Sequence, residues 1–357
     1  MTPFGRNFLP GPTDVHPEIL EAMSVPMFGH RGARMRAMLS GMQPALREML
    51  GTVQPVLLST SSATGLIEAA VRNGVRERIL VAVGGYFGEY YARIAEACGK
   101  QAIRVQVHPG HSITPEQLER FLDDPHIDAV AVVHSESSTG ALADIESLAK
   151  VVRARRDVLF LVDGVTSVGA LPFEMDRWGV DFVCTGSQKT LALPPGLAAG
   201  AASERFLARS ALQRDAGYYF NAGRLARIAR ESLPFWTPAV SLLVALDRQL
   251  GRVARVGGWP ARYARHRAML EACERWAERR GDVRLLAAGA RSPAISTVVL
   301  PDSHPASDVI AGLERREFLV GGGLDRSHGN VIRIGHMGDL EPVHLAALLA
   351  ALDEVLA

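Results

Sequence analysis

The sequence predicts an α/β fold in which a mostly parallel, helix-covered sheet fills a large domain and a smaller α+β domain follows it. Three observations carry this prediction. Short apolar or β-branched runs alternate with helix-length amphipathic segments between about residues 55 and 203, a long helical stretch covers about Val240 to Arg280, and a second strand and helix pattern begins after it. Strands that alternate with helices are joined by crossovers, which cover both faces of a parallel sheet.

The first pattern contains seven candidate strands: PVLLST (55–60), RILVAV (78–83), AIRVQV (102–107), DAVAVVH (128–134), VLFLVD (158–163), DFVCTG (181–186) and GLAAGAA (196–202). Between them ATGLIEAAVRNG, EYYARIAEACGK, TPEQLERFLDD and DIESLAKVVRARR repeat apolar residues every three to four positions, the period of a covering helix. The stretch from Val240 to Arg280 is broken near Gly257 to Pro260. Beyond it AISTVVL, a helix near 306–316, VIRIG and a final helix from about 341 make up the smaller domain. The opening PGPTDVHPEI is too rich in proline for a long helix and reads as an extended arm. The division expected is an arm at 1–20, a large domain at 21–250 and a small domain at 251–357.

With 357 residues, 48% hydrophobic and 22% charged, the chain has the balance of a soluble globular protein with a substantial core. Thirty-nine basic and thirty-eight acidic residues leave a formal net charge of +1, so no global field draws nucleic acid or an anionic membrane. Cys98, Cys184 and Cys273 are odd in number and widely spaced, which argues against a disulfide framework and a zinc site and favours a reducing cytoplasm. The opening residues lack the pattern of a secretory signal, and no run of about 18 apolar residues occurs, so neither export nor a membrane span is expected.

Three segments carry chemistry. In TGSQKTLALPPG a small-residue turn after a buried strand presents Lys189 where solvent reaches it poorly, although a lysine after a strand is also commonly a surface residue. Asp163 ends the very apolar run VLFLVD, where an ionised carboxylate needs a cation or strong donors, or serves as a strand-end cap beside Gly164. In STSSATGLIEAA a strand end turns through Ser62, Ala63 and Thr64 into a helix, a geometry that binds phosphate and equally suits ordinary N-capping. All three sit at the carboxyl ends of expected strands, where open α/β sheets collect ligands. An amine, a carboxylate that asks for a ring cation and a phosphate turn together describe one cofactor, pyridoxal 5′-phosphate, held as a Schiff base on Lys189.

At these residues the chain resembles the class V aminotransferases of the fold type I pyridoxal-phosphate enzymes, and within them the alanine-glyoxylate and serine-pyruvate aminotransferase group. The resemblance runs from PGPT at 10–13 through IRIG at 332–335. It implies that GSQK supplies the cofactor lysine, Lys189, with Gln188 on the phosphate, and that LVDGVTS supplies Asp163 for the pyridine nitrogen and Val165 beneath the ring. It places Ser137 of HSESSTG near the phenolic oxygen, with Glu136 and Thr139 in support. Phe87 of GGYFGEY stands where an aromatic, commonly Trp, stacks on the ring, and keeps the stack without the indole donor. In FWTPAVSLLVAL, Thr237 is implied to reach the neighbouring subunit's phosphate, which makes the protein a homodimer. The chain departs from its relatives at Pro234 and Val244, both commonly Tyr there. Arg333 of VIRIG is the implied clamp for a substrate carboxylate, a task suited to a guanidinium fork. His336 and the GHRG at 29–32 receive no role.

The reaction implied moves an amino group from a small amino acid of alanine or serine type to a 2-oxo acid such as glyoxylate or pyruvate, with Lys189 as the base and Asp163 keeping the ring cationic. A lyase or a cysteine desulfurase on the same scaffold is the nearest rival. The desulfurase is disfavoured because Phe87 stands where such enzymes stack His and because Cys273 lies within EACERWAERR. A dehydrogenase lacks its fingerprint, since GGYFG is not GxGxxG. A binding or scaffold relative without activity is disfavoured by the joint presence of Lys189, Asp163 and Arg333.

Overall fold

The computed structural model describes residues 3–324 and 330–357. A two-residue strand, β1 (Asn7–Phe8), is followed by a proline-rich turn and a short helix, α1 (Pro17–Ala22), where His16 accepts the Glu18 N–H as a cap. Helix α2 (Ala33–Leu50) then leads to the larger sheet.

That sheet is built of β2 (Leu57–Ser59), β3 (Arg78–Val83), β4 (Gln101–Gln106) and β5 (Ile127–Val133), and, after a ribbon of β6 (Ser135–Glu136) and β7 (Ala141–Leu142), of β8 (Leu159–Asp163), β9 (Phe182–Gly186) and β10 (Ala198–Ala202). Its spatial order is β2-β10-β9-β8-β5-β3-β4. Strands β4, β3, β5, β8 and β9 pair in parallel, while β10 runs antiparallel to both of its neighbours. The expected seven-stranded, mostly parallel sheet is therefore present.

Strand alternation divides the buried residues between two faces. Val130, Val132, Phe160 and Val162 face a layer that includes α2, α6 (Ile145–Arg153) and α10 (Val240–Arg255). Ala129, Ala131, Leu159 and Leu161 face α3 (Ala63–Gly74), α4 (Tyr86–Ala97) and α8 (Glu204–Ser210). Each large side chain taken wholly from water contributes about 1.5–3 kcal/mol, so both faces hold the sheet firmly. Shorter helices α5 (Pro115–Phe121), α7 (Met175–Trp178) and α9 (Ala222–Arg230) fill the periphery.

The stretch read as one broken helix is two, α10 and α11 (Gly258–Arg280), with Gly257 and Gly258 at φ +99° and +73° making the corner. Beyond it β11 (Arg284–Leu285), β12 (Ile295–Val299), β13 (Leu319–Gly322) and β14 (Val331–Gly335) form a second sheet of order β1-β13-β14-β12-β11. Helices α11, α12 (Ala306–Glu314) and α13 (Pro342–Val355) cover it, with Trp276, Leu345 and Leu352 against Phe8, Val298 and Ile332. The opening segment is thus part of this second sheet, because β1 pairs in parallel with β13, Asn7 opposite Leu319 and Phe8 opposite Val320. Among the described residues no helix is long and apolar enough to cross a membrane.

Candidate active site

The loops that leave the carboxyl ends of β2, β3, β5, β8 and β9 meet over a cavity of about 330 Å³, the size of a small-molecule site. It opens near the point where the strand order reverses, between β3, whose neighbour beyond is β4, and β5, whose neighbour beyond is β8. Ser62, Ala63, Thr64, Phe87, Ser137, Asp163, Val165, Gln188 and Lys189 all line it. Arg333, Glu136 and Thr139 stand beside it, and Thr237 lies away from it.

Lys189 sits on a turn that the strand end dictates. Ser187 accepts the Leu197 N–H on its hydroxyl and donates that hydroxyl to the Pro194 carbonyl, while Thr190 donates to Val168 O. The ammonium is buried and donates to the carbonyl of Pro10 in the opening segment. Thr13 fastens the same segment to the turn, its N–H donating to Gln188 O at 3.1 Å and its hydroxyl to Lys189 O at 3.2 Å. Gly11 permits the approach: at φ +118° an added Cβ would lie 2.9 Å from Lys189 Cε. Among the described residues no carboxylate is within ion-pair reach of the amine. Burial, helped by the Arg333 cation, pushes its pKa down to about 8, against the pull of Asp163 and Glu136.

Asp163, the last residue of β8, accepts one hydrogen bond, from the Val165 N–H at 2.9 Å. Burial pushes its carboxyl up to about 6, with Val165 N–H opposing, Glu136 adding and the Lys189 cation opposing. An acid so placed is stabilised by a cation arriving in the cavity.

The turn after β2 is open to an anion. Ser62 is the N-cap of α3 yet its side chain makes no capping bond, so the first N–H groups of a 12-residue helix point at the cavity unspent by a side-chain cap. Phe87 is fixed from below. Buried Glu136 accepts the N–H groups of Phe87, Gly88 and Ser138, each at 3.1 Å, and the Ser138 hydroxyl at 2.6 Å, which caps α4 with a full negative charge. The Phe87 ring centroid is 6.0 Å from Lys189 Nζ. Ser137 Oγ accepts from Thr166 Oγ1 at 3.4 Å, and Thr139 stands behind the wall, its hydroxyl on Glu136 O at 3.5 Å.

Arg333, at the centre of β14, is buried beside the cavity rather than in its lining. Its Nε donates to Gly322 O at 2.7 Å and its Nη1 to Ser137 O at 3.3 Å. Among the described residues no carboxylate pairs with it, and burial pushes its pKa down to about 10 against the Glu136 charge. Thr237 is exposed, and Pro234 and Val244 do not line the cavity. His336 is buried elsewhere, on Ser296 Oγ at 2.9 Å.

Several lining residues were not anticipated: Gly11 and Pro12 of the opening segment, Ser135, Thr166, and Tyr90, one helical turn beyond Phe87. The last carried a signal, since EYYARIAEACGK reads as a helix and the third residue after Phe87 shares its face.

An amine held near neutrality across a cavity from a carboxyl that gains from a cation is the pairing on which fold type I pyridoxal-phosphate enzymes rely. The comparisons agree with the geometry. The family model described as "Aminotransferase class-V" matches residues 20–328. The chain is 31% identical over 98% of its length to the small subunit of the soluble hydrogenase of a Synechococcus strain, covering 92% of that protein. It is 30% identical to the L-aspartate–glyoxylate aminotransferase of Paracoccus denitrificans, covering 100% of this chain and 92% of that one. The crystal structure of an alanine–glyoxylate aminotransferase from Nostoc sp. superposes with a TM-score of 0.92 at 30% identity, over 99% of this chain and 95% of that one. The chain belongs to the class V aminotransferase family and is a pyridoxal-phosphate-dependent transaminase.

Proposed function

We propose that this enzyme moves the amino group of a small amino acid of alanine or serine type to a 2-oxo acid of glyoxylate or pyruvate type, with Lys189 as the amine that carries the cofactor. The observation that carries the reading is the pair Lys189 and Asp163, buried in one cavity with the amine pushed down and the acid pushed up. Among the described residues the cavity suits the cofactor on three counts: an amine without a carboxylate partner, a buried acid with a single donor, and a helix start without a side-chain cap. When bound, pyridoxal phosphate supplies an aldehyde to join an amine and a cationic ring to accept electrons from a neighbouring C–H bond.

The chain's own residues divide the remaining work. Ser62, Ala63, Thr64 and Gln188 would hold the phosphate, Val165 and Phe87 would pack against the ring, Ser137 would meet its phenolic oxygen, and Asp163 would hold the proton on its nitrogen. Arg333 binds the substrate carboxylate, so that a Cα proton lies within reach of Lys189 Nζ. As a neutral amine, Lys189 takes that proton. Glyoxylate is named as a substrate in the Paracoccus and Nostoc relatives, which supports an acceptor of that size. Cys273, fully buried in α11, is not placed to act as a mobile nucleophile.

The working form proposed is a homodimer in which Thr237 reaches the partner's phosphate. Its exposure, beside Tyr218 and Tyr219 at 65% and 40% exposed, supports an interface there. Three free cysteines fit a reducing cytoplasm.

The test is a half-reaction screen. Single amino acids are added to the cofactor-loaded protein and loss of its visible band is followed, with Lys189→Ala as control. Alanine or serine should discharge the band and glyoxylate or pyruvate restore it. A wild-type protein that takes up no cofactor, or a band indifferent to every small amino acid, rejects the reading.

A further inference from the structure

Helix α4 turns two side chains toward the cavity, Phe87 and, one turn later, Tyr90. Three residues of helix advance about 4.5 Å along the axis. The phenol is thereby carried from the ring region toward the turn at Ser62 to Thr64. Its orientation is set by neighbours: Tyr86 stacks on it at 6.2 Å between centroids and 12° between planes, and Phe87 meets it edge-on at 6.5 Å.

The Tyr90 hydroxyl lies 3.5 Å from Thr64 Oγ1. That is long for a direct bond between hydroxyls, which settle at about 2.7–2.8 Å. It is the right separation for two donors that share a third atom, because an oxygen about 2.7 Å from each completes a triangle on a 3.5 Å base. The position between them faces the uncapped start of α3, where a negative oxygen is favoured.

We propose that the Tyr90 hydroxyl is a further ligand of the cofactor phosphate, donating together with Thr64 Oγ1 to one phosphate oxygen. The inference rests on pyridoxal phosphate occupying the Lys189 cavity as proposed above. No covalent step is involved. Its consequence is that α4 fixes the cofactor at two places, the ring through Phe87 and the phosphate through Tyr90.

The full-length chain, freed of cofactor, is titrated with pyridoxal phosphate and separately with pyridoxal, which lacks the phosphate. The visible band is followed for wild type, Tyr90→Phe, Thr64→Val and the double variant, and the 31P resonance of the bound cofactor is recorded. Tyr90→Phe should weaken pyridoxal phosphate about tenfold, the loss of one hydrogen bond to a charged group. It should shift the 31P resonance and leave pyridoxal affinity unchanged. The double variant should lose less than the product of the single losses, as donors to a common atom are coupled. Unchanged pyridoxal phosphate affinity with an unmoved resonance overturns the assignment, as does an equal loss for pyridoxal, which would place Tyr90 on the ring or in the scaffold. Strictly multiplicative losses overturn the shared oxygen. Failure of the wild-type protein to take up either compound would remove the cofactor site itself, a result distinct from these.

Discussion

Lys189 and Arg333 affect one another through charge. A lysine in water titrates near 10.4, and in this cavity burial and the nearby guanidinium bring it to about 8. Only the unprotonated amine attacks an aldehyde, so the capture rate of pyridoxal phosphate should rise with pH and level off above about 8. Because Arg333 lowers that value, Arg333→Ala should move the midpoint upward, and stopped-flow absorbance over a pH series reads it. A midpoint that stays or falls contradicts the arrangement. Asp163 has the opposite sign. Its carboxyl is raised to about 6, above an unfolded value near 3.9, so the folded empty protein binds the extra proton between those values and loses stability as pH rises through them. Asp163→Asn should therefore stabilise the cofactor-free protein at pH 7 by on the order of 2 kcal/mol in urea unfolding. It should also lower transamination about a hundredfold or more, as the loss of an electrostatic partner does.

Among the elements, α4 depends on a single buried acid. Glu136→Ala would leave the N–H groups of Phe87, Gly88 and Ser138 without their acceptor and should cost about 1–3 kcal/mol in chemical denaturation, with Glu136→Gln recovering part of it. A change below a few tenths of a kcal/mol would show that water replaces the carboxylate. What could be read in advance followed from the same local physics. Asp163 and Lys189 were legible because an ionisable residue at the end of an apolar strand is an anomaly that demands a partner. Helix α2 is hard to read from sequence although Met35, Leu39, Met42, Leu46 and Met49 line one buried face, because Pro44 stands inside it and reads as a break. Tyr90 is legible only once Phe87 is placed, because the helix period sets it on the same face, while its approach to Thr64 depends on how α4 rolls on the sheet beneath it. Pro10 and Gly11 were read only as an arm, because contact with a lysine 179 positions away is a property of topology rather than of spacing.

In the whole molecule, the two sheets are tied by a buried charge cluster around Asp339. Arg262 of α11 donates to Asp339 at 2.8 Å and to the carbonyl of Thr190, next to the reactive lysine, while Gln249 of α10 donates to the other oxygen of Asp339 at 2.9 Å. Arg252 and Arg265 also lie 3.5 and 4.0 Å from Asp339, so Arg262→Met leaves the carboxylate partly paired and should cost about 1–3 kcal/mol, with part of it restored when Asp339→Leu is added. Thermal unfolding of the single and double variants measures this, and a double variant no better than the single would assign the loss to packing. The proposed reach of Thr237 between subunits has its own test. A mixed dimer of Lys189→Ala and Thr237→Ala chains carries one site with both defects and one with neither. Activity should therefore rise above that of the unmixed parents after verified subunit exchange, and no rise places Thr237 outside the partner's site.

The pairing of Asn7 and Phe8 with Leu319 and Val320 joins two segments more than three hundred positions apart. Until the later strand has left the exit tunnel, the first cannot dock, and the backbone that shields the amine at position 189 has nothing to lie against. A growing chain therefore carries its reactive nitrogen uncovered from the making of Lys189 until the strand at Leu319 follows it, and the pocket closes only once that strand is present.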